Sequence, residues 1–164
     1  MASVGPIWLT VMMLGLILPA CGARGSAGLP AAVPLDLASV RRPASPNTAL
    51  AAPPNLGPAP DIESRHFDVS PPVLYAALCR VAENEPRVFL QARFEAQLQA
   101  AYVARSAFWN FPDLIQVAAV PDGAGSRPVI YSRSVYGRYD FGVNRHRIEA
   151  WLARLPGAVA AEGA

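Results

Sequence analysis

Tyr131-Ser132-Arg133-Ser134-Val135-Tyr136-Gly137-Arg138-Tyr139-Asp140-Phe141-Gly142-Val143-Asn144-Arg145-His146-Arg147-Ile148 reads as the end of a strand, a glycine-punctuated turn and the start of a helix. From Arg127 to Tyr136, Val129, Tyr131, Arg133 and Val135 alternate with Ile130, Ser132, Ser134 and Tyr136, the period of a partly buried strand. Gly137 and Gly142 bracket the turn, where positive φ costs glycine little. Asn144 has the position of an N-cap, its side chain accepting from the backbone N–H of His146 or Arg147. Val143 and Ile148 fit a hydrophobic staple around it. Ile148, Trp151, Leu152 and Leu155 then form one apolar helical stripe, and Pro156-Gly157 is expected to end it.

Arg145 and Arg147 stand in the first turn of that helix, where the macrodipole disfavours positive charge by a few tenths of a kcal/mol each. Asp140 is the nearest compensating charge in sequence. A bound anion at the free N–H groups is a second solution, and solvation of both guanidinium groups a third. Ser132, Ser134, Gly137, Asp140, Gly142, Asn144, Arg145 and Arg147, followed by Trp151-Leu152, resemble the signature of the bacterial family called domain of unknown function 1499. Arg105-Ser106 and Phe111-Pro112-Asp113 are similar to its upstream half, so the resemblance runs from Phe67 to Leu155. The family often carries an arginine where Val135 stands here, so any role of that arginine falls to Arg133 or Arg138 or is missing. The resemblance implies no activity.

The remaining chain supplies the address. Ile7 to Ala20 is apolar for about 14 residues, too short for a membrane span of about 20 and suited to the core of a signal peptide over residues 1–20. Leu18-Pro19-Ala20-Cys21-Gly22 looks like a lipobox, in which Cys21 takes a diacylglycerol and becomes the new N-terminus. Ordinary cleavage with release, and a retained anchor, are the alternatives. No Asp follows Cys21, which resembles the pattern that sorts lipoproteins to the outer membrane. The expected location is the cell envelope, lipid-anchored and facing the periplasm, or else secreted or soluble in the periplasm. Residues 21–61 are rich in Pro, Ala, Gly and Ser without apolar periodicity, and are expected to be a disordered tether reaching roughly 35 Å as a coil.

A globular domain is expected over residues 62–157, with a flexible tail over 158–164. His66 to Ser70 fits a short edge strand. Ser70 and Pro71 open a helix carrying Leu74, Ala77, Leu78 and Val81, which Pro86 ends. Val88 to Phe94, Gln99 to Trp109 and Leu114 to Val120 fit strands, and Pro121 to Ser126 is a turn. The order β-α-β-β-β-β-α with short connections predicts an α+β fold. It is a single antiparallel sheet of about four to five strands with both helices on one face.

Composition narrows function without naming it. The net charge of +2 over 164 residues does not point to nucleic acid. All fourteen basic residues are arginine, a bias shared with the high Ala and Pro content. Six arginines between Arg127 and Arg154 face only Asp140 and Glu149, a local excess of +4 that suits an anionic ligand or partner, or a solvated surface. With Cys21 at the end of the leader and expected to be lipidated, Cys79 is expected to be a buried apolar residue without a disulfide. Only His66 and His146 are present, so no metal site is expected, and the absence of a phosphate loop or dinucleotide fingerprint predicts no cofactor.

Three readings of function follow. The first is a non-enzymatic envelope domain binding an anionic ligand or an envelope protein through Arg133, Ser134, Arg138, Asp140, Asn144, Arg145 and Arg147. The second is a small envelope hydrolase using Asp140, His146 and a serine, although no Gly-x-Ser-x-Gly elbow is present. Asp113 and Asp140 as an acid/base pair belong to the same class. The third is a structural role in which Asp140, Asn144 and Arg147 form a fold-specifying polar network.

Overall fold

A computed structural model describes residues 24–162; the expected signal peptide, Cys21 and the last two residues lie outside the described residues. Six strands form one sheet: β1 Thr48–Ala52, β2 Ile62–Glu63, β3 Val88–Phe94, β4 Gln99–Arg105, β5 Pro112–Asp122 and β6 Gly125–Ser134. Their order is β2-β1-β6-β5-β4-β3. β3 to β6 are an antiparallel meander, as the short turns between them require. β1 adds antiparallel to the free edge of β6, with Ala49 opposite Ser132 and Ala51 opposite Ile130. Among the described residues only the β1–β2 pairing is parallel. The fold is α+β, with one more strand than the upper end of the expected range.

Two helices, α1 Pro71–Glu83 and α2 Val143–Glu162, pack together on one face. Leu74, Ala77, Leu78 and Val81 of α1 and Ile148, Trp151 and Leu155 of α2 are buried against Ala49, Ala51, Tyr102, Ile115, Val117 and Ile130 of the sheet. This is the apolar stripe that the helical spacing predicts, met by the inward-facing half of each strand. Cys79 is buried and free, and burial among apolar groups raises its thiol pKa.

The N-terminal segment departs from expectation. Residues 24–61 do not hang free. Thr48–Ala52 is an internal strand, and Val40, Leu35, Leu37 and Leu56 pack with Leu50, Ala52, Ala118, Val129 and Tyr131 on the face opposite the helices. The polar side chains of that face hold the segment's backbone. Gln99 donates to Leu35 O at 3.1 Å and accepts from Leu35 N at 2.7 Å, as another peptide unit would. Gln91 donates to Pro30 O at 2.7 Å, and Gln116 to Val33 O at 2.9 Å. Arg105 donates through Nε and Nη2 to Gly25 O at 3.0 and 2.9 Å. A segment without apolar periodicity is ordered because strand residues far away in sequence satisfy its carbonyls.

The C-terminal boundary is also corrected. Pro156-Gly157 does not end α2, which runs on to Glu162. The hydrogen bond lost at a helical proline is offset by packing of Ala158 and Val159 on the core and by an ion pair from Arg80 of α1 to Glu162 at 2.7 Å. His66 to Ser70 is not a strand. It makes a single bridge, with Phe67 N–H to Ser126 O at 2.9 Å and Ser126 N–H to Phe67 O at 3.0 Å.

Candidate functional site

The strand–turn–helix stretch lies where β6 ends, beside β1 and β5. Register places Asp113 opposite Ser134, and Ile115 and Ala49 on either side of Ser132, so Asp113, Ser132 and Ser134 face the helices. α2 begins directly above them and projects Asn144 and Arg147, three residues apart, onto that surface. Arg147 Nη2 donates to Asp113 Oδ2 at 2.7 Å, and Nη1 to Ser132 Oγ at 2.9 Å and Asn144 Oδ1 at 2.7 Å. Ser132 Oγ donates to Asn144 Oδ1 at 2.6 Å. The Asn144 amide reaches Asn47 O at 3.0 Å, Ser134 Oγ at 3.1 Å and Asp140 Oδ2 at 2.8 Å. Asp140 also accepts from the backbone N–H of Gly142 and Asn144, at 3.0 and 3.1 Å.

Asp140 therefore supplies the negative charge expected at the start of α2, and caps it from just before the helix. Asn144 does not cap. It lies inside the first turn, fully buried, with its side chain turned onto the sheet. Asp140 pairs with this backbone and with Asn144 rather than with an arginine, and Asp113 pairs with Arg147 rather than capping a turn. Ser132, Asn144 and Asp113 are all buried. A buried polar group is costly unless hydrogen-bonded, and here every member has a partner within the cluster.

The arginines expected to share one surface are distributed among separate environments. Arg147 is committed to the buried network. Arg145 lies outside, paired with Glu149 one turn on at 2.9 Å and donating to Asp61 O at 3.2 Å. Arg138 is exposed beside Tyr139, its guanidinium 6.0 Å from the ring centre. Arg133 points to the opposite sheet face, because the strand alternation that sends Ser132 and Ser134 to the helices sends Tyr131 and Arg133 the other way. His146 is exposed on α2, and among the described residues it hydrogen-bonds to no serine. Ser132 Oγ is instead engaged by Asn144 and Arg147, so these residues do not assemble the relay a serine hydrolase needs.

Arg133 borders a cavity of about 220 Å³ between the N-terminal segment and the sheet, with Leu29, Pro30, Leu114, Tyr131 and Val135 in its wall. Arg133 is half-buried, and no acceptor pairs with it among the described residues. Gln91 and Gln116 border the same space. Sequence reading passed over Asn47, Gln91, Gln99 and Gln116. The one signal for Gln91 and Gln116 was an amide side chain placed mid-strand, where apolar residues ordinarily stand; Gln99 opens its strand and gave none.

Fold and site together define a small α+β domain whose single sheet is covered by two helices on one face and by its own N-terminal segment on the other. The chain belongs to the family of proteins of unknown function DUF1499, whose sequence pattern matches residues 40–155. The match takes in β1, which the resemblance beginning at Phe67 had left out. No curated protein matches the chain. Among solved structures it is similar to Ara h 8.0201, at 12% identity over 60% of this chain and 95% of that one, with a TM-score of 0.46. It is also similar to the protein TTHA0849 from Thermus thermophilus, at 12% identity over 70% of this chain and 92% of that one, with a TM-score of 0.30.

Proposed function

We propose that this protein is an envelope-anchored, non-enzymatic binding domain whose ligand is a small amphipathic anion. The carrying observation is Arg133, a half-buried guanidinium with no acceptor among the described residues, at the rim of a mainly apolar cavity. Such a group attracts a carboxylate or phosphate, while Leu114, Tyr131 and Val135 suit a hydrocarbon body. The volume is below the roughly 300 Å³ at which drug-sized pockets begin, which favours a short chain over a ring system. The anchor is Cys21, supported by the apolar run before it and the small residues around it. The Asp113, Ser132, Asp140, Asn144 and Arg147 cluster fixes the strand–turn–helix that carries Arg133, and so serves the site without lining it.

Thermal unfolding of the full chain with octanoate, octyl phosphate and octanol tests the ligand class. Either anion should raise Tm in the wild type, octanol should raise it less, and Arg133→Gln should remove the difference. Equal shifts in both proteins would overturn the assignment. For the anchor, palmitate labelling in the host should be lost in Cys21→Ser.

A further inference from the structure

One end of the sheet carries a concentration of exposed aromatic rings. The β4–β5 loop contributes Phe108, 84% exposed, Trp109, 65% exposed, and the partly exposed Phe111. The turn before α2 contributes Tyr136, Tyr139 and Phe141, the last 94% exposed. The two loops form one surface. Ring centres are 4.9 Å apart for Phe108 and Trp109, 6.3 Å for Trp109 and Phe111, and 6.2 Å for Phe111 and Tyr136. Val135 N–H donates to Pro112 O at 3.1 Å and ties the loops at their base.

These rings are held outward by a built framework. Arg87 donates to Arg105 O at 2.9 Å, Ser106 O at 2.8 Å and Asn110 Oδ1 at 2.9 Å. Ser106 N–H donates to Phe111 O, and Ser106 Oγ accepts from Phe111 N–H, each at 2.9 Å. Asn110 and Phe141 hold positive φ of 56° and 53°, an uncommon conformation for residues with side chains.

The side chains of the two loops that carry charge at neutral pH are Arg138 and Asp140. Asp140 is occupied by three hydrogen bonds, which leaves the exposed cation of Arg138, 6.0 Å from the ring centre of Tyr139. Rings of Trp, Tyr and Phe with arginine and no free acid match the interfacial layer of a bilayer, where headgroup phosphates meet acyl chains. Protein interfaces are enriched in the same residue types, so the choice of a bilayer over a protein rests on the course of the chain.

The course of the chain gives the same orientation. Gly25 O is held by Arg105, the residue directly before the aromatic loop, and Gly25 stands against Phe89. Cys21 is three residues before Arg24, and three residues span at most about 11 Å. A lipid on Cys21 would therefore be leashed to the aromatic end.

We infer that the aromatic end of the sheet, formed by Phe108, Trp109, Phe111, Tyr139 and Phe141 with Arg138, docks into the interfacial layer of a phospholipid bilayer. The leash rests on the Cys21 anchor proposed above, whereas the ring surface stands without it and is independent of the Arg133 cavity.

The test uses full-length chain purified from its host membrane and placed in phosphatidylcholine–phosphatidylglycerol vesicles with acyl chains brominated near the headgroup. The fluorescence lost in Trp109→Phe is the Trp109 signal. It should be quenched severalfold by the brominated lipid, and the Phe108→Ser/Phe141→Ser double variant should lose most of that quenching while keeping its far-UV circular dichroism. Cys21→Ser added to the same vesicles separates the two ideas: quenching retained but weakened supports ring docking with the anchor as an aid. A Trp109 signal that stays unquenched on vesicle-bound wild type overturns the inference. So does shielding from iodide in native envelopes without quenching by brominated lipid, which would mean that a protein covers the rings.

Discussion

Arg147 of α2 and Asp113 of β5, thirty-four residues apart, meet at 2.7 Å through Nη2 and Oδ2, with both side chains largely out of solvent. Removing one partner leaves a buried charge without its counterion, which costs about 3–5 kcal/mol. Arg147→Ala and Asp113→Ala should each lower stability by that amount in chemical denaturation. The pair Arg147→Met/Asp113→Leu should recover a large part of it. Equal losses for the single and double variants would show that the arginine's bonds to Ser132 and Asn144, not the charge pair, dominate.

Asn144 unites the residue before β1, β6, the turn and α2 through one amide. Asn144→Ala leaves Ser132, Ser134 and the carbonyl of Asn47 with fewer partners, each unsatisfied group costing about 1–3 kcal/mol. Asn144→Asp removes the amide donors and sets a carboxylate against Asp140, and should be worse than alanine. Melting temperatures of the two variants decide the order.

The backbone of Gly125 runs against Phe67 O and the His66 ring so closely that a Cβ there would collide with both. Gly125→Ala should therefore break the Phe67–Ser126 bridge. The expected result is faster amide exchange at Phe67 and Ser126 with little change at the centre of β4. Uniform acceleration throughout the sheet would show that the bridge is needed for the whole fold.

His66 Nδ1 lies 2.8 Å from Asp122 Oδ2, and that hydrogen bond raises the imidazole pKa above its ordinary 6.5. Asp122 is lowered below 3.8, first by Arg127 and then by His66. A raised histidine stabilises fully below its unfolded pKa and loses that contribution as pH rises through its folded value. A lowered aspartate stabilises above its unfolded pKa and loses it as pH falls through its folded value. Exchange protection at Phe67 should thus be greatest between about pH 3.8 and 6.5. It should fall on the alkaline side, and His66→Asn should flatten that limb.

The helical stripes and the meander from Val88 to Ser134 were legible in the sequence because their signal is local. Alternation of Val129, Tyr131 and Val135 with Ile130 and Ser132, and the spacing of Ile148, Trp151 and Leu155, follow from the geometry of strand and helix alone. The residues of the polar cluster were legible too, since Ser132, Ser134, Asp140, Asn144 and Arg147 crowd one stretch. Their bonds were not, because Asp113 and Asn47 enter only through strand register.

By itself, then, the sequence determined the element types, the apolar faces and the strand–turn–helix from Tyr131 to Ile148. Tertiary structure alone decided that Thr48–Ala52 joins the sheet, that residues 24–47 lie across its second face, and that α2 continues through Pro156. In each of these the stabilising partner is remote: Ser132 and Ile130 for β1, Gln99 and Gln116 for the segment, Arg80 for the end of α2. Local propensity is worth tenths of a kcal/mol for an ordinary residue and about 3 kcal/mol for the interior proline, and remote hydrogen bonds and buried contacts acting together outweigh it.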